Sequence, residues 1–269
     1  MEGQAPLRVV IVGAAGRMGK ESLKALNGNG FEIVGAVVRS GIGQNAQGIA
    51  GPSAPDLVLS GSLSDTLAGG PVDVVVDLSN HAVALSNARL AIEAGAHLVM
   101  GCTGMGEDAL AEIGSLASSA GKGAIYAPNF AIGAILMMKF SAMAAKWLPD
   151  VEIIEMHHDR KEDAPSGTAL HTADMIIGAR TQAPTPKPNS LMKLEGARGG
   201  EKDGVHIHSV RLPGLLAHQQ VLFGGPGEVL TIRHDAMDRS VYMGGLKLCV
   251  RKVSELTGLV VGLDKLLFE

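Results

Sequence analysis

A short apolar run, Leu7 to Val12 (LRVVIV), stops at Gly13-Ala14-Ala15-Gly16-Arg17-Met18-Gly19. A nearly unbroken apolar run of that length reads as a parallel strand buried on both faces. Helical spacing follows from Met18 to Leu26, with Leu23 and Leu26 on one side, and Asn27-Gly28-Asn29-Gly30 ends it. Phe31 to Val38 (FEIVGAVV) reads as a second strand. Strand, glycine turn, helix and strand within about 30 residues form a βαβ unit. That unit commits the chain to a parallel sheet with crossover helices.

The alternation continues. Residues 40–56, rich in Gly, Ser, Gln and Pro, read as a loop, and Leu57 to Leu59 as a short strand. Val72 to Leu78 is a strand, Ala82 to Ala94 a helix, and His97 to Met100 a strand. Asp108 to Ala120 is then a helix and Gly123 to Ala127 a strand. The expected fold is a Rossmann-like, doubly wound parallel sheet. Beyond it the pattern changes. Ile132 to Leu148 is a long Met- and Ala-rich helix, Val151 to His157 an alternating strand, and Thr168 to Ala179 a helix. Residues 181–204 read as a mobile loop or oligomer arm. Val205 to Leu212, Ala217 to Phe223 and Val229 to Ala236 resemble three antiparallel strands. Val241 to Leu256 reads as a helix, with a short tail after Gly258. The expected organisation is a dinucleotide-binding domain over 1–130 and 241–269. An α+β domain with a mixed sheet is expected over 131–240.

Composition narrows the function classes. The chain has 269 residues, of which 46% are hydrophobic and only 3% aromatic, so its core is built from aliphatic residues and Met. A net charge of −4 offers no footprint for nucleic acid. Cys102 and Cys249 are the two cysteines, too few for a disulfide framework or a cysteine zinc site. The start, MEGQAPLRVV, lacks a signal-peptide pattern, and no segment approaches the roughly 18 apolar residues of a membrane span. The expectation is a cytoplasmic protein without membrane or nucleic-acid partners.

In its strand-to-helix context, the glycine loop matches a dinucleotide fingerprint. Gly13 permits a tight turn, Gly16 lets the backbone approach a pyrophosphate, and Gly19 allows close packing of the helix. The spacing is GxxGxxG rather than GxGxxG, and a plain glycine turn is the competing reading. About 20 residues on, where an NAD site carries an acidic residue, stand Val38 and Arg39. With no carboxylate for a ribose hydroxyl and an arginine for a 2′-phosphate, NADPH is expected over NADH. A solvated loop cation is the alternative for Arg39. Gly101-Cys102-Thr103-Gly104 and Ala127-Pro128-Asn129-Phe130 follow strands, where a parallel sheet lines its ligand crevice.

The second informative stretch is His157-His158-Asp159-Arg160-Lys161-Glu162-Asp163-Ala164-Pro165-Ser166-Gly167-Thr168. Histidine titrates near neutral pH and suits acid–base work. Lys161 can donate a proton or face a developing anion. Ser166 or Asp163 would cap the helix, leaving amides at Gly167 and Thr168 for a carboxylate. Adjacent side chains on a strand point to opposite faces, so His157 and His158 are expected to play different parts. A charged surface loop before a capped helix is the plainer alternative. No third ligand has metal-site spacing, so no metal is expected.

The run from Glu155 to Ala169, EMHHDRKEDAPSGTA, resembles the signature of the 4-hydroxy-tetrahydrodipicolinate (dihydrodipicolinate) reductase family of diaminopimelate and lysine biosynthesis. Gly13–Gly19, the GCTG turn and Ala127–Phe130 fall where that family holds its cofactor, and the resemblance spans nearly the whole chain. It implies NAD(P)H-dependent reduction of a cyclic hydroxy-dicarboxylate to tetrahydrodipicolinate. It also implies acid–base work at His157 and proton donation by Lys161. Carboxylate contacts are implied at His158, Gly167 and Thr168. The cofactor would lie on Gly13, Ala14, Ala15, Gly16, Arg17 and Met18, on Gly101, Cys102 and Thr103, and on Ala127, Pro128, Asn129 and Phe130. Arg39 would meet the adenosine phosphate, NADH remains possible, and the implied assembly is a homotetramer. The resemblance, carried by residues 155–169, further implies that the domain over 131–240 binds substrate and oligomerises. Members that use NADH well often carry glutamate where Val38 stands. The rivals, an NADP-linked aspartate or homoserine dehydrogenase and a nucleotide-binding redox sensor, lack the HHxxKxDAPSGT run or any need for it.

Overall fold

Leu7–Val12 (β1) lies inside a six-stranded parallel sheet in the computed structural model, which describes residues 5–28, 30–186 and 191–268. Asn29, in the turn expected to end the first helix, lies outside the described residues. Val9, Val10 and Ile11 are wholly buried, as an unbroken apolar strand requires. The chain continues through α1 (Arg17–Ala25), β2 (Phe31–Val37), α2 (Ala46–Ala50), α3 (Leu63–Ala68) and β3 (Val74–Asp77). It then forms α4 (His81–Glu93), β4 (His97–Met100), α5 (Glu107–Ser119) and β5 (Gly123–Tyr126). Residues 40–56, expected to be loop, hold α2, which Asn45 caps by accepting the Gln47 amide; the helix is only one turn long and carries little periodicity. Leu57 to Leu59 forms isolated bridges rather than a strand, Asn45 pairing with Val58 and Val37 with Ser60.

The chain then enters a second compact unit, Gly133–Asp238, and returns to the first, which is Met1–Ile132 together with Arg239–Glu269. At the junction α6 (Ile132–Ala144) begins, and it stops short of Leu148 because its last residues relax into turns. The second unit continues with β6 (Asp150–His157), α7 (Gly167–Ala179), β7 (Gly200–Lys202), β8 (Val205–Arg211), β9 (Ala217–Gly225) and β10 (Glu228–Ala236). Its sheet runs β10-β9-β6-β8-β7 and is mixed, β6 pairing parallel with β8 and antiparallel with β9.

This corrects the expected run of three antiparallel strands. The β9–β10 pair is such a hairpin, but β6 inserts between β8 and β9. The Pro213-Gly214 turn therefore steps over a strand instead of joining neighbours. Parallel neighbours need a crossover of a dozen or more residues, and α7 supplies it between β6 and β8. The stretch 181–204 is also not all loop, since β7 pairs with β8 at the sheet edge; residues 187–190 of that stretch lie outside the described residues.

Back in the first unit, the expected helix 241–256 is α8 (Met243–Lys252) flanked by 3-10 turns, Arg239–Tyr242 and Val253–Glu255. The expected tail is instead β11 (Gly258–Val261), which adds to β5 in parallel, followed by α9 (Asp264–Phe268). The sheet order is thus β11-β5-β4-β3-β1-β2. Among the described residues no helix is long and apolar enough to cross a membrane.

Candidate active site

Because all six strands of the first sheet are parallel, the loops after β1, β2, β3, β4 and β5 share one edge. The order reverses between β1 and β3, and at such a switch point the connections diverge and leave a crevice. The glycine loop sits there. Gly13 has φ +79°, and a Cβ on it would stand 2.7 Å from the Leu78 carbonyl oxygen at the end of β3. Its amide and that of Ala14 both donate to Val37 O, at 2.9 and 3.1 Å. Gly19 is packed harder, since a Cβ there would lie 2.3 Å from Gly13 O. Gly16 is the N-cap of α1 and, lacking a side chain, leaves the first-turn amides without a side-chain acceptor. Ala14 is buried, Ala15 and Met18 half-buried, and Arg17 exposed. The cradle of backbone amides, bare of side chains, fits an anionic pyrophosphate. Arg39 is exposed just past the end of β2, and Val38 beside it is buried.

Further along that edge, Gly101 also has no room for a side chain, since a Cβ would meet the Phe130 ring at 2.5 Å and the Leu78 side chain at 2.7 Å. Cys102 is buried, and burial, with a smaller effect from the Asp77 charge, pushes its thiol up to about 11. It is therefore a neutral thiol, and its turn offers backbone rather than a nucleophile. Thr103 and Pro128 are exposed, Ala127 and Phe130 buried, and Asn129 Oδ1 accepts the Ala131 amide at 2.9 Å. Asp77, fully buried at the end of β3, accepts from Ser79 N at 2.8 Å and Asn87 Nδ2 at 2.9 Å. It thereby ties down the adjoining loop, a task the sequence reading did not assign to it.

The second unit gathers the other predicted residues at the end of β6. His157 is the last strand residue, and its Nδ1 lies 2.5 Å from Glu155 Oε2. His158 follows in a turn closed by Lys161 N donating to His158 O at 3.1 Å. Its Nδ1 is buried without a hydrogen-bond partner among the described residues, so the two rings do differ in surroundings. Lys161 Nζ donates to Asp163 Oδ1 at 2.6 Å. This bond is the largest influence holding the Asp163 carboxyl below its usual range. Asp163 is thus the lysine's partner and not the helix cap. Ser166 is the cap, its Oγ accepting Ala169 N at 3.2 Å. The amides of Gly167 and Thr168 have no acceptor among the described residues, and space around Gly167 is open.

Two residues that the reading missed complete this site. Glu155 is 0% exposed, and Arg211 from β8 grips its carboxylate with both terminal nitrogens, at 2.8 and 3.0 Å. The signal for Glu155 was present in β6, where it shares a face with buried Val151 and Ile153. Among the described residues no group of three or more His, Cys, Asp or Glu could hold a metal ion.

Comparison with known proteins decides the family. The family described as dihydrodipicolinate reductase, N-terminus, matches residues 7–130, and its C-terminus counterpart matches residues 133–267. The chain belongs to the dihydrodipicolinate reductase family. It is 46% identical over 263 residues to the 4-hydroxy-tetrahydrodipicolinate reductase of Desulfitobacterium hafniense (strain DSM 10664 / DCB-2), covering 97% of this chain and 98% of that one. The enzyme of the same name from Bacillus cereus (strain AH187) is 45% identical over 262 residues, with the same coverage of both chains. Among solved structures, the dipicolinate-bound dihydrodipicolinate reductase from Paenisporosarcina sp. TG-14 superposes with a TM-score of 0.86 at 41% identity. That match covers 97% of this chain and 99% of its own. As a reductase of this family the chain is an oxidoreductase, and membership implies a pyridine nucleotide, for which the side-chain-free cradle of Gly13, Gly16 and Gly19 has the required shape.

Proposed function

We propose that this chain reduces 4-hydroxy-tetrahydrodipicolinate to tetrahydrodipicolinate in diaminopimelate and lysine biosynthesis, with NADPH favoured over NADH. The observation that carries the reading is the cluster at the end of β6, where His157, Lys161 and the open amides of α7 stand together. The bound nucleotide supplies the hydride. The rest falls to the chain's own residues. The amides of Ala15, Arg17 and Met18, around the N-cap Gly16, bind the pyrophosphate. Arg39 meets the 2′-phosphate, which a guanidinium recognises better than a ribose hydroxyl. The turns Gly101-Cys102-Thr103 and Ala127-Pro128-Asn129-Phe130 position the nicotinamide end.

The Paenisporosarcina relative was solved with dipicolinate, a dicarboxylate, and a small dicarboxylate is the substrate class we assign here. His158 and the Gly167 and Thr168 amides hold its carboxylates, since helix-opening amides favour negative charge. Lys161 donates the proton that the reduced substrate needs. Its partner Asp163 is 61% exposed, so water screens the pair and the ammonium can exchange partners. His157 takes part in the same proton exchange. We further propose a cytoplasmic homotetramer. In support, β10 is an edge strand with Val229 69% and Leu230 40% exposed, and bare edges of this kind are usually covered. Sedimentation at several concentrations tests this, and a monomer throughout would remove it.

The deciding experiment follows NADPH oxidation with freshly generated 4-hydroxy-tetrahydrodipicolinate. Turnover is expected, with kcat/KM higher for NADPH than for NADH and the difference shrinking in Arg39→Ala. No turnover with either nucleotide would defeat the reading, and a clear NADH preference would defeat the assignment of Arg39.

A further inference from the structure

The alternation of β6 turns Glu155 toward the face that buries Val151 and Ile153. A carboxylate in such a place must be paired and hydrogen-bonded to persist there ionised. Arg211 Nη1 donates to Oε2 at 3.0 Å and Nη2 to Oε1 at 2.8 Å. The amide of Ser166, at the cap of α7, donates to Oε1 at 3.2 Å. Nδ1 of His157 lies 2.5 Å from Oε2. Arg211 Nη2 also donates to the carbonyl of Asp163 at 2.6 Å. A single ion pair, its carboxylate buried and its guanidinium half-buried, thus touches the imidazole, the loop carrying Lys161 and the turn that opens α7.

Burial by itself pushes the Glu155 carboxyl up, but the bonds from His157, Arg211 and Ser209 outweigh it and bring the group down to about 2. An ionised carboxylate only accepts hydrogen bonds. The proton between the two groups therefore belongs to Nδ1 of His157. That leaves Nε2 as the nitrogen free to take up and release a proton.

We infer that Glu155 and Arg211 are positioning residues: the carboxylate fixes His157 as its Nδ1–H tautomer, and the ion pair holds that ring in register with the Asp163 loop and the first turn of α7. The inference rests on the reading of His157 as a proton-exchanging group. The competing role is a purely structural tie between β6 and β8, which would leave the tautomer and the chemical step untouched.

The test starts with 15N-labelled full-length protein without substrate, its imidazole nitrogens observed by NMR and His157 assigned by its loss in His157→Ala. Nδ1 is expected to carry the proton. A protonated Nδ1 only in a minor fraction, with Nε2–H dominant, overturns the inference whatever any variant does. The second part is the pair Glu155→Gln and Arg211→Met made together, which leaves no unmatched buried charge. A mixture of tautomers is expected there, with kcat lowered by about 10²-fold, the lower end of what a positioned proton-transfer group contributes. KM for NADPH is expected to stay within about twofold, since the change removes an interaction felt in the chemical step. Wild-type kcat in the folded double variant overturns the inference. Should that variant not fold, the tautomer measured in the wild-type protein decides alone. If the wild-type protein shows no NADPH-dependent turnover, the reading of the reaction fails separately, because the tautomer is measured without it.

Discussion

Lys161 and His157 stand in different company, and this predicts different consequences for their loss. The ammonium of Lys161 is bound to one exposed carboxylate, so Lys161→Ala frees Asp163 to water and disturbs little else. Its expected effect is a fall in kcat of about 10²-fold or more with NADPH affinity near wild type, measured by steady-state kinetics and nucleotide titration. His157→Ala removes a donor to the buried Glu155, so the same kinetic loss should come with lower stability, by about 1–3 kcal/mol in urea denaturation. Turnover near wild type in either variant would remove that residue from the mechanism. Glu155 itself predicts acid sensitivity. Its folded value, about 2, lies below the ordinary 4.5, so its contribution is complete above the ordinary value and disappears as pH falls through the folded one. Stability should therefore drop by about 3 kcal/mol between about pH 5 and pH 2 on account of this group. The Glu155→Gln/Arg211→Met protein should show a shallower decline over that window, and an equal slope would mean the carboxylate is not the cause.

At the level of elements, the glycine loop separates two requirements within three residues. A methyl at Gly19 would meet the backbone of Gly13 and Ala14 at 2.3 and 2.6 Å, and backbone cannot swing aside as a side chain can. A methyl at Gly16 meets only Gly13 O, at 3.1 Å. Gly19→Ala is expected to displace the turn from α1, raising KM for NADPH about tenfold and lowering stability by about 1–3 kcal/mol. Gly16→Ala should do less to stability than to nucleotide binding. Equal stability losses would show that α1 can shift to make room. The first sheet was legible because its strands and helices repeat a strong local pattern, from LRVVIV at Gly13 to Gly123–Tyr126. The rest depended on distant partners. β11 is four residues, GLVV, whose strand character comes from lying on β5. Nothing local tells that β8 takes β6 as its parallel neighbour rather than joining β9. In the site, the histidines and lysine announced themselves by type, whereas Arg211 reads as one more charge at a strand end until its guanidinium is found on Glu155 of the neighbouring strand. Glu155 was the detectable one, a carboxylate in the apolar register of its strand.

For the molecule as a whole, the first unit is assembled from two stretches separated in sequence by the entire second unit. Its sheet holds β5 between β4 and β11, and Gly123 fits against the far stretch so tightly that a Cβ would stand 1.9 Å from Val253 O. Gly123→Ala is accordingly expected to loosen the attachment of α8 and β11 to the sheet. The readout is faster hydrogen exchange at Leu259 and Val260 than in the wild type, and unchanged exchange there would mean that the backbone accommodates the methyl. The same arrangement bears on synthesis. Translation delivers β1 to β5 early, yet the strand that shields the outer edge of β5 leaves the ribosome only after the second unit has been made. Until then β5 presents unpaired backbone that can recruit other chains, so a ribosome stalled after β10 would release a product open to aggregation and proteolysis.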